Sequence, residues 1–202
     1  MAIQSFFPTY IEHSKNVLSP AKNLELKKEI YQIQKIDHEG ASWSEENYFG
    51  GYTSYGSMDQ LHLSSPRFAE LAQVIAISVQ KFVKFSEWDI RAKDLKMNSC
   101  WVNIMPQGTH HSFHIHPHSV LSGTYYVEVP QDSSPIKFED PRLPQLMLAP
   151  IKKPNAKLIN QSFISLSSAS RELILFESWL RHEVPANRSK KSRISVSFNY
   201  SF

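Results

Sequence analysis

Five of the nine histidines of the chain stand within ten residues, in the segment HHSFHIHPHS at residues 110–119. Residues two apart on a β-strand point to the same side, so a strand here would project His114 and His116 together, with apolar residues opposite. Neutral imidazoles are common ligands of divalent iron, zinc and copper. Two histidines on one strand supply only two ligands. His182, on another predicted strand before a proline turn, is the expected third ligand.

The remaining histidines have less regular surroundings, and a histidine-rich loop can also be a simple solvated segment. Three of them flank the pair and are left open as metal-surrounding, substrate-facing or exposed residues: His110, His111 and His118. Three others receive no role: His13, His38 and His62.

Arg193 opens the segment RISVSFNY, whose residues alternate between polar and apolar. As a strand, it would carry Arg193, Ser195, Ser197 and Asn199 on one face and apolar side chains on the other. A polar strand face is costly to bury unless it lines a cavity with a polar occupant. An arginine fork with a serine hydroxyl two residues later would bind a carboxylate.

The second half of the chain must supply the elements that position these groups. It reads as short segments rich in β-branched and aromatic residues, separated by turn formers: CWVNIM, SFHIH, GTYYVEV, IKFE, ELILFE, LRHEV and RISVSFNY. SFISL is a further possible strand in the proline- and serine-rich stretch 143–170. Seven or eight such strands predict an antiparallel sandwich or barrel.

The first half, residues 1–95, reads as helices and loops that pack on this barrel within a single domain. Ser19-Pro20 and Ser65-Pro66 each predict a helix start, with serine as the cap and proline in the first turn. Apolar residues follow each start at helical spacing. Between the two helices, NYFGGYTSYGSM predicts a loop or a short hairpin.

The second half resembles a known family through several motifs taken together. These are N-x-M-P-x-G at 103–108, H-x-H-P-x-S-x-L-S-G-x-Y-Y-V at 114–127, F-x-D-P-R at 138–142 and R-I-S-V-S-F-N at 193–199. They are similar to the 2OG-Fe(II) oxygenases of the Fe(II)/2-oxoglutarate-dependent dioxygenase superfamily. The resemblance covers residues 98–202 strongly and the first half only loosely. It implies a mainly β fold with flanking helices, built on a double-stranded β-helix (jelly roll, cupin-like) core.

The resemblance also implies roles and cofactors. Fe(II) would be held by His114, His116 and His182, and the far carboxylate of 2-oxoglutarate by Arg193 with Ser195. Three further residues could donate to that carboxylate: Tyr125 or Tyr126, and Asn103. The implied reaction is hydroxylation of an unactivated C–H bond, with release of succinate and CO2.

One position departs from the superfamily, whose usual ligand pattern is H-x-D…H. His116 stands where the aspartate is expected, which removes one negative charge from the metal and leaves the ligand set open. Asp140 and Glu128 are the nearest carboxylates that could substitute.

Two other interpretations remain open. Gly108 followed by His114-x-His116 also matches the opening of the cupin motif, although the glutamate of that motif is absent. Of these interpretations, only the one that involves 2-oxoglutarate requires Arg193 to face the metal. The third interpretation is a binding or phage structural module without catalysis.

Composition limits the remaining function classes. The net charge of +3 is too small to argue for nucleic acid, and we expect neither nucleic acid nor a membrane as partner. Cys100 is the single cysteine, so no disulfide forms within the chain. The start carries no signal-peptide pattern, which predicts a cytoplasmic protein. The expected partner is a small-molecule or peptidyl substrate, and a homodimer is left open. The aromatic loop 48–55, with Trp43, is a candidate entrance to the site.

Overall fold

The computed structural model describes residues 2–202, the side chains of residues 145 and 146 excepted. In these residues, ten strands form two facing antiparallel sheets. The larger sheet has the order β1-β8-β5-β10-β3-β2 and the smaller has the order β4-β9-β6-β7. The bounds are β1 Ile11–Ser14, β2 Tyr52–Thr53, β3 Lys96–Met105, β4 His111–His114, β5 Leu121–Glu128, β6 Ile136–Glu139, β7 Phe163–Leu166, β8 Leu173–Glu177, β9 His182–Val184 and β10 Arg193–Ser201. This is the expected mainly β architecture of a double-stranded β-helix.

Four α-helices accompany the sheets: α1 Pro20–Ile36, α2 His38–Asn47, α3 Leu61–Ser64 and α4 Pro66–Phe85. The two predicted starts are confirmed. Ser19 accepts a hydrogen bond from the backbone N–H of Lys22 (3.3 Å), and Ser65 accepts one from that of Phe68 (3.4 Å). Each side chain thereby satisfies one of the free N–H groups of the first helical turn.

The larger sheet is buried on both faces, which explains why its strands are so rich in large apolar residues. One face packs on α1 and α4, with Ile30, Phe68 and Ile75 against Val196 and Phe198. The other face looks towards the smaller sheet, and there the core is mixed, with apolar residues at one end and polar residues at the other. The polar end is where the candidate site lies.

The N-terminal part contributes more than the expected helices and loops. Its strands β1 and β2 form the two edges of the larger sheet, β1 on β8 and β2 on β3. The glycine- and aromatic-rich segment contains β2, which pairs Tyr52 with Ile104 and Thr53 with Asn103. Helix α2, which the sequence did not indicate, begins directly after α1 at the capping residue Asp37, whose carboxylate accepts from the N–H of Gly40 at 2.9 Å.

None of the helices in the described residues is long and apolar enough to cross a membrane.

Candidate metal and cosubstrate site

Three histidines converge between the two sheets. His114, His116 and His182 each offer one ring nitrogen, and these nitrogens lie within 4.8 Å of one another. The Nε2 atoms of His116 and His182 are 3.3 Å apart. Two nitrogens that each lie about 2.1 Å from one ion, at octahedral or tetrahedral angles, are about 3.0–3.4 Å apart. The spacing therefore suits a single divalent metal ion.

Backbone carbonyls fix the orientation of two of these rings. The Nδ1–H of His182 donates to the carbonyl of Leu180 at 2.8 Å, and that of His114 donates to the carbonyl of Ser112 at 2.7 Å. With Nδ1 protonated and bonded, the lone pair stays on Nε2, which faces the shared centre. Hydrogen bonds of this kind hold a metal-binding imidazole in the required tautomer and orientation.

Burial keeps the three histidines uncharged. It lowers the pKa of His182 to about 3 and that of His116 to about 4, with a further contribution from the neighbouring His114 in both cases. Burial also lowers the pKa of His114. At neutral pH all three rings are therefore free bases, the form in which histidine binds metals.

The strand that carries the histidine pair is shorter than the sequence indicated. Strand β4 ends at His114, and His116 lies in the following loop, where its backbone N–H donates to the carbonyl of Ser178 at 3.0 Å. Strand alternation does not bring the two rings together. A loop beside β9 does, and β4 also pairs His114 directly with His182.

Arg193 is buried within the same sandwich, at 3% exposure. Its Nη1 lies 3.0 Å from the sulfur of Met105, and its guanidinium carbon lies 4.9 Å from the ring centre of Tyr126. Among the described residues, no carboxylate is within ion-pair distance of it. A thioether is a weak acceptor, so a buried guanidinium here is suited to an anionic ligand.

Hydroxyl groups without partners surround Arg193. The buried hydroxyl of Tyr126 lacks a hydrogen-bond partner in the part of the chain described, as do those of Ser133 and Ser168. These residues and Arg193 line a cavity of about 20 Å³, the size of roughly one water. A buried cation beside free hydroxyl donors fits the carboxylate end of 2-oxoglutarate.

The two adjacent tyrosines of β5 face opposite ways. Tyr125 points into the helix-packed core, where its hydroxyl donates to Oδ1 of Asn23 at 2.7 Å. Tyr126 points between the sheets towards Arg193. Of the two candidates given by the sequence, the structure brings Tyr126 close to the arginine, and Tyr125 lies on the other face of the sheet.

Ser195 and Asn103 lie on the inner face as expected. Ser195 is buried and pairs in register with Tyr126 on one side and Asn103 on the other. The amide of Asn103 is already engaged, since its Oδ1 accepts from Thr53 at 2.8 Å and its Nδ2 donates to Ser197 at 3.0 Å. Asn103 therefore lines the cavity next to the histidines, and both ends of its amide are hydrogen-bonded to protein groups rather than directed at a carboxylate.

Two further residues lie near both the histidines and Arg193: His111, whose role the sequence left open, and Tyr48, from the loop considered as an entrance. His111 stacks on Tyr48, with ring centres 4.4 Å apart and planes at 20°. The buried hydroxyl of Tyr48 has no partner among the described residues, and burial raises its pKa while the nearby Arg193 opposes that effect. Burial, together with His114 and Arg193, lowers the pKa of His111 to about 3.

The carboxylates considered as substitute ligands lie elsewhere. Asp140 is bound by Arg142 at 2.7 Å, and Glu128 is paired with Lys27 at 2.6 Å. Within the described part of the chain, the candidate metal cluster consists of histidines alone. Of the remaining histidines, His110 and His118 are exposed and His13 pairs with Glu172 at 2.7 Å.

A cavity of about 250 Å³ opens on this cluster. Its lining includes His111, His114 and His116 on the inner side and aromatic side chains of the N-terminal part towards the opening. It is large enough for part of a small organic molecule.

Residues 99–199 match the family model described as "Putative 2OG-Fe(II) oxygenase". That range is half of the chain and contains the three histidines, Tyr126 and Arg193. The chain belongs to the 2OG-Fe(II) oxygenase family. No curated protein sequence matches it significantly.

Solved structures of this oxygenase type share the fold. The α-ketoglutarate-dependent epimerase SnoN from nogalamycin biosynthesis matches with a TM-score of 0.66 at 13% identity, over 95% of this chain and 77% of that one. HygX from Streptomyces hygroscopicus, with nickel, 2-oxoglutarate and hygromycin B bound, matches at 0.65 and 12%, over 96% and 83%. A prolyl-4-hydroxylase from Pseudomonas putida matches at 0.56 and 12%, over 96% and 92%. Identities this low establish the double-stranded β-helix fold alone.

Proposed function

We propose that this oxygenase binds Fe(II) through His114, His116 and His182, binds 2-oxoglutarate between that centre and Arg193, and hydroxylates an organic substrate. The observation that carries the proposal is one buried arginine, without a carboxylate partner among the described residues, facing the same interior as three converging neutral histidines. A three-residue ligand set leaves positions on the metal for a chelating cosubstrate and for oxygen.

The bound metal and cosubstrate would supply the oxidising power: 2-oxoglutarate, O2 and a substrate C–H group give succinate, CO2 and a C–OH group. The chain's own contribution is binding and orientation. Arg193 presents a planar fork that matches a carboxylate, and Tyr126 and Tyr48 offer hydroxyl donors that have no other partner in the part of the chain that the structure describes. Leu180 and Ser112 hold the histidine rings through their carbonyls.

We propose hydroxylation because it is the simplest oxidation that such a site can carry out. Relatives with this fold include an epimerase as well as a prolyl-4-hydroxylase, and one of them was crystallised with hygromycin B. One fold thus serves several oxidative outcomes, and function has to be argued from the site. The interior of this site suits a small molecule or a single side chain of a peptide.

The cupin-like alternative would use the histidines without 2-oxoglutarate. It gives no reason for a buried guanidinium that has no carboxylate partner among the described residues and lies beside several hydroxyls that also lack partners there. The inward-facing Arg193 therefore favours the 2-oxoglutarate-dependent function.

A spectroscopic titration tests the proposal. Protein loaded with Fe(II) under argon should develop the weak visible charge-transfer band of the iron–2-oxoglutarate chelate when 2-oxoglutarate is added, and H182A should not. Absence of the band at saturating 2-oxoglutarate would support the cupin-like alternative. Screening substrate pools for succinate formation then identifies what is oxidised.

A further inference from the structure

Three aromatic side chains form the outer half of the 250 Å³ cavity. Trp43 comes from α2, Tyr55 follows β2, and Trp101 comes from the inner face of β3. The ring centres of Tyr55 and Trp101 are 5.0 Å apart at 62°, and those of Trp43 and Tyr55 are 6.3 Å apart at 65°. We call this set the aromatic wall.

The aromatic wall adjoins the proposed metal centre, and Arg193 is not among the residues that line this cavity. The ring of Trp101 lies 6.1 Å from that of His116, whereas Arg193 is on the side of Tyr126 and Tyr48. A cosubstrate bound to the arginine would leave the aromatic end of the cavity free. A molecule resting against the wall would place its nearest C–H bonds towards the histidines.

No charged side chain lines the aromatic end of the cavity. Among the described lining residues there is no aspartate, glutamate, lysine or arginine. An ion placed there would lose hydration without a paired charge. The polar groups present, Asn47 and Asn199 among them, are neutral hydrogen-bonding groups.

A buried carboxylate network holds the segment that carries Tyr55. Asp37 accepts from the hydroxyls of Tyr52 at 2.7 Å and Ser57 at 2.6 Å, in addition to the N–H of Gly40. The backbone at Gly56 lies close to the ring of Trp43, since a Cβ there would come within 2.8 Å of it. The wall is thus formed before any ligand binds, which favours a flat, rigid partner.

We infer that the substrate carries a flat, uncharged ring, which binds against the aromatic wall with its neighbouring C–H bonds facing the histidines. This inference rests on the proposed function, because it treats the cavity as the substrate site of an oxygenase. It places specificity largely in residues 43–55, outside the range matched by the family model.

A charge series on one ring system tests the inference. Protein loaded with Fe(II) and 2-oxoglutarate under argon is titrated, by ligand-observed NMR, with benzamide, benzoate, benzyltrimethylammonium and cyclohexanecarboxamide. We expect benzamide to bind about tenfold more tightly than each of the others, because it alone is both flat and neutral. Y55A should weaken benzamide binding about tenfold, while Y55F, which keeps the ring, should retain it.

The control variant is F49A, since Phe49 lies in the same segment but is 88% exposed and does not line the cavity. It should bind benzamide as the unmodified protein does. Equal or tighter binding of benzoate or of the quaternary ammonium would overturn the inference, as would unchanged binding in Y55A or no binding of any probe. The charge-transfer band, recorded first on the same samples, separates these results from a failure of the proposed function, in which the band itself is missing.

Discussion

Replacing Arg193 by methionine should remove 2-oxoglutarate binding while leaving the folded protein intact. Methionine keeps an unbranched apolar stem but has no charge and no donor. Arg193 is 3% exposed and has no carboxylate partner among the described residues, so in the free protein its charge is uncompensated. Removing such a charge should not lower the free energy of unfolding, and it relieves an unfavourable desolvation.

The expected loss of affinity follows from the environment of that charge. Truncating one partner of a buried, hydrogen-bonded charge pair costs about 2–5 kcal/mol, or about 30- to 5,000-fold in Kd. Because Arg193 is buried, we expect a loss of affinity towards the upper end of this range. Arg193→Lys retains the charge but lacks the planar fork, so its loss should be smaller than that of Arg193→Ala or Arg193→Met.

Thermal unfolding with and without 2-oxoglutarate measures both effects on one sample. With Mn(II) bound, the unmodified protein should gain Tm as 2-oxoglutarate is added, and Arg193→Met should gain little. Metal binding should be unchanged in all three variants, because the histidines lie outside β10. If Arg193→Met is stabilised by 2-oxoglutarate as strongly as the unmodified protein, the arginine does not bind the cosubstrate and the reasoning is wrong.

The remaining predictions concern single groups. Tyr126→Phe should raise the Kd for 2-oxoglutarate about tenfold or more, because it removes a hydroxyl beside Arg193. Tyr125→Phe loses only its hydrogen bond to Asn23, so it should leave that Kd unchanged and lower the free energy of unfolding by about 1 kcal/mol. Equal effects of the two variants on the Kd in a calorimetric titration would contradict the assignment. His182→Ala should abolish metal binding measured by elemental analysis, and retention of stoichiometric metal would refute the ligand set. Burial raises the pKa of the Cys100 thiol to about 12, so iodoacetamide should label it only after unfolding, as mass spectrometry of native and denatured samples can show. The folded metal-free protein binds fewer protons than the unfolded chain between about pH 4 and 6.5, because burial depresses the pKa of His116 and His182. Its free energy of unfolding should therefore fall as the pH drops from about 7 to 4, and denaturant titrations that show no such fall would count against neutral buried histidines.

The fold class and the histidine cluster could be predicted because both have strong sequence signals. Short apolar strands between turn formers fill residues 96–202, and the strands found there agree with the predicted segments to within a few residues, as IKFE at β6 illustrates. The short edge strands β1 and β2 could not be predicted, since two to four residues carry too little periodicity. The division of the chain near residue 95, the cytoplasmic location and a homodimer stay predictions.

The details of the site depend on a strand that is buried on both faces and on a register shift, and a regular alternation of residues reveals neither. Both faces of β5 are buried, so alternation cannot distinguish Tyr125 from Tyr126 as the residue beside the arginine. The pairing of β4 with β9 shifts register between His111 and His114, and this irregularity changes the side to which a residue three positions away points. His111 therefore joins the site against simple alternation. The position of Tyr48 depends on contacts between residues far apart in the sequence, so the local sequence could not place it in the site.

The all-histidine ligand set has a consequence for how the centre would be loaded. Neutral imidazoles leave a divalent ion with its full charge, whereas a carboxylate ligand would cancel part of it. The dianionic cosubstrate would then offset most of the combined charge of the ion and, at its other end, of the buried arginine. Binding of the two would be strongly cooperative, and by thermodynamic reciprocity each would raise the affinity for the other equally. With the proposed ligand set, occupancy of the metal position would therefore depend on the concentration of 2-oxoglutarate.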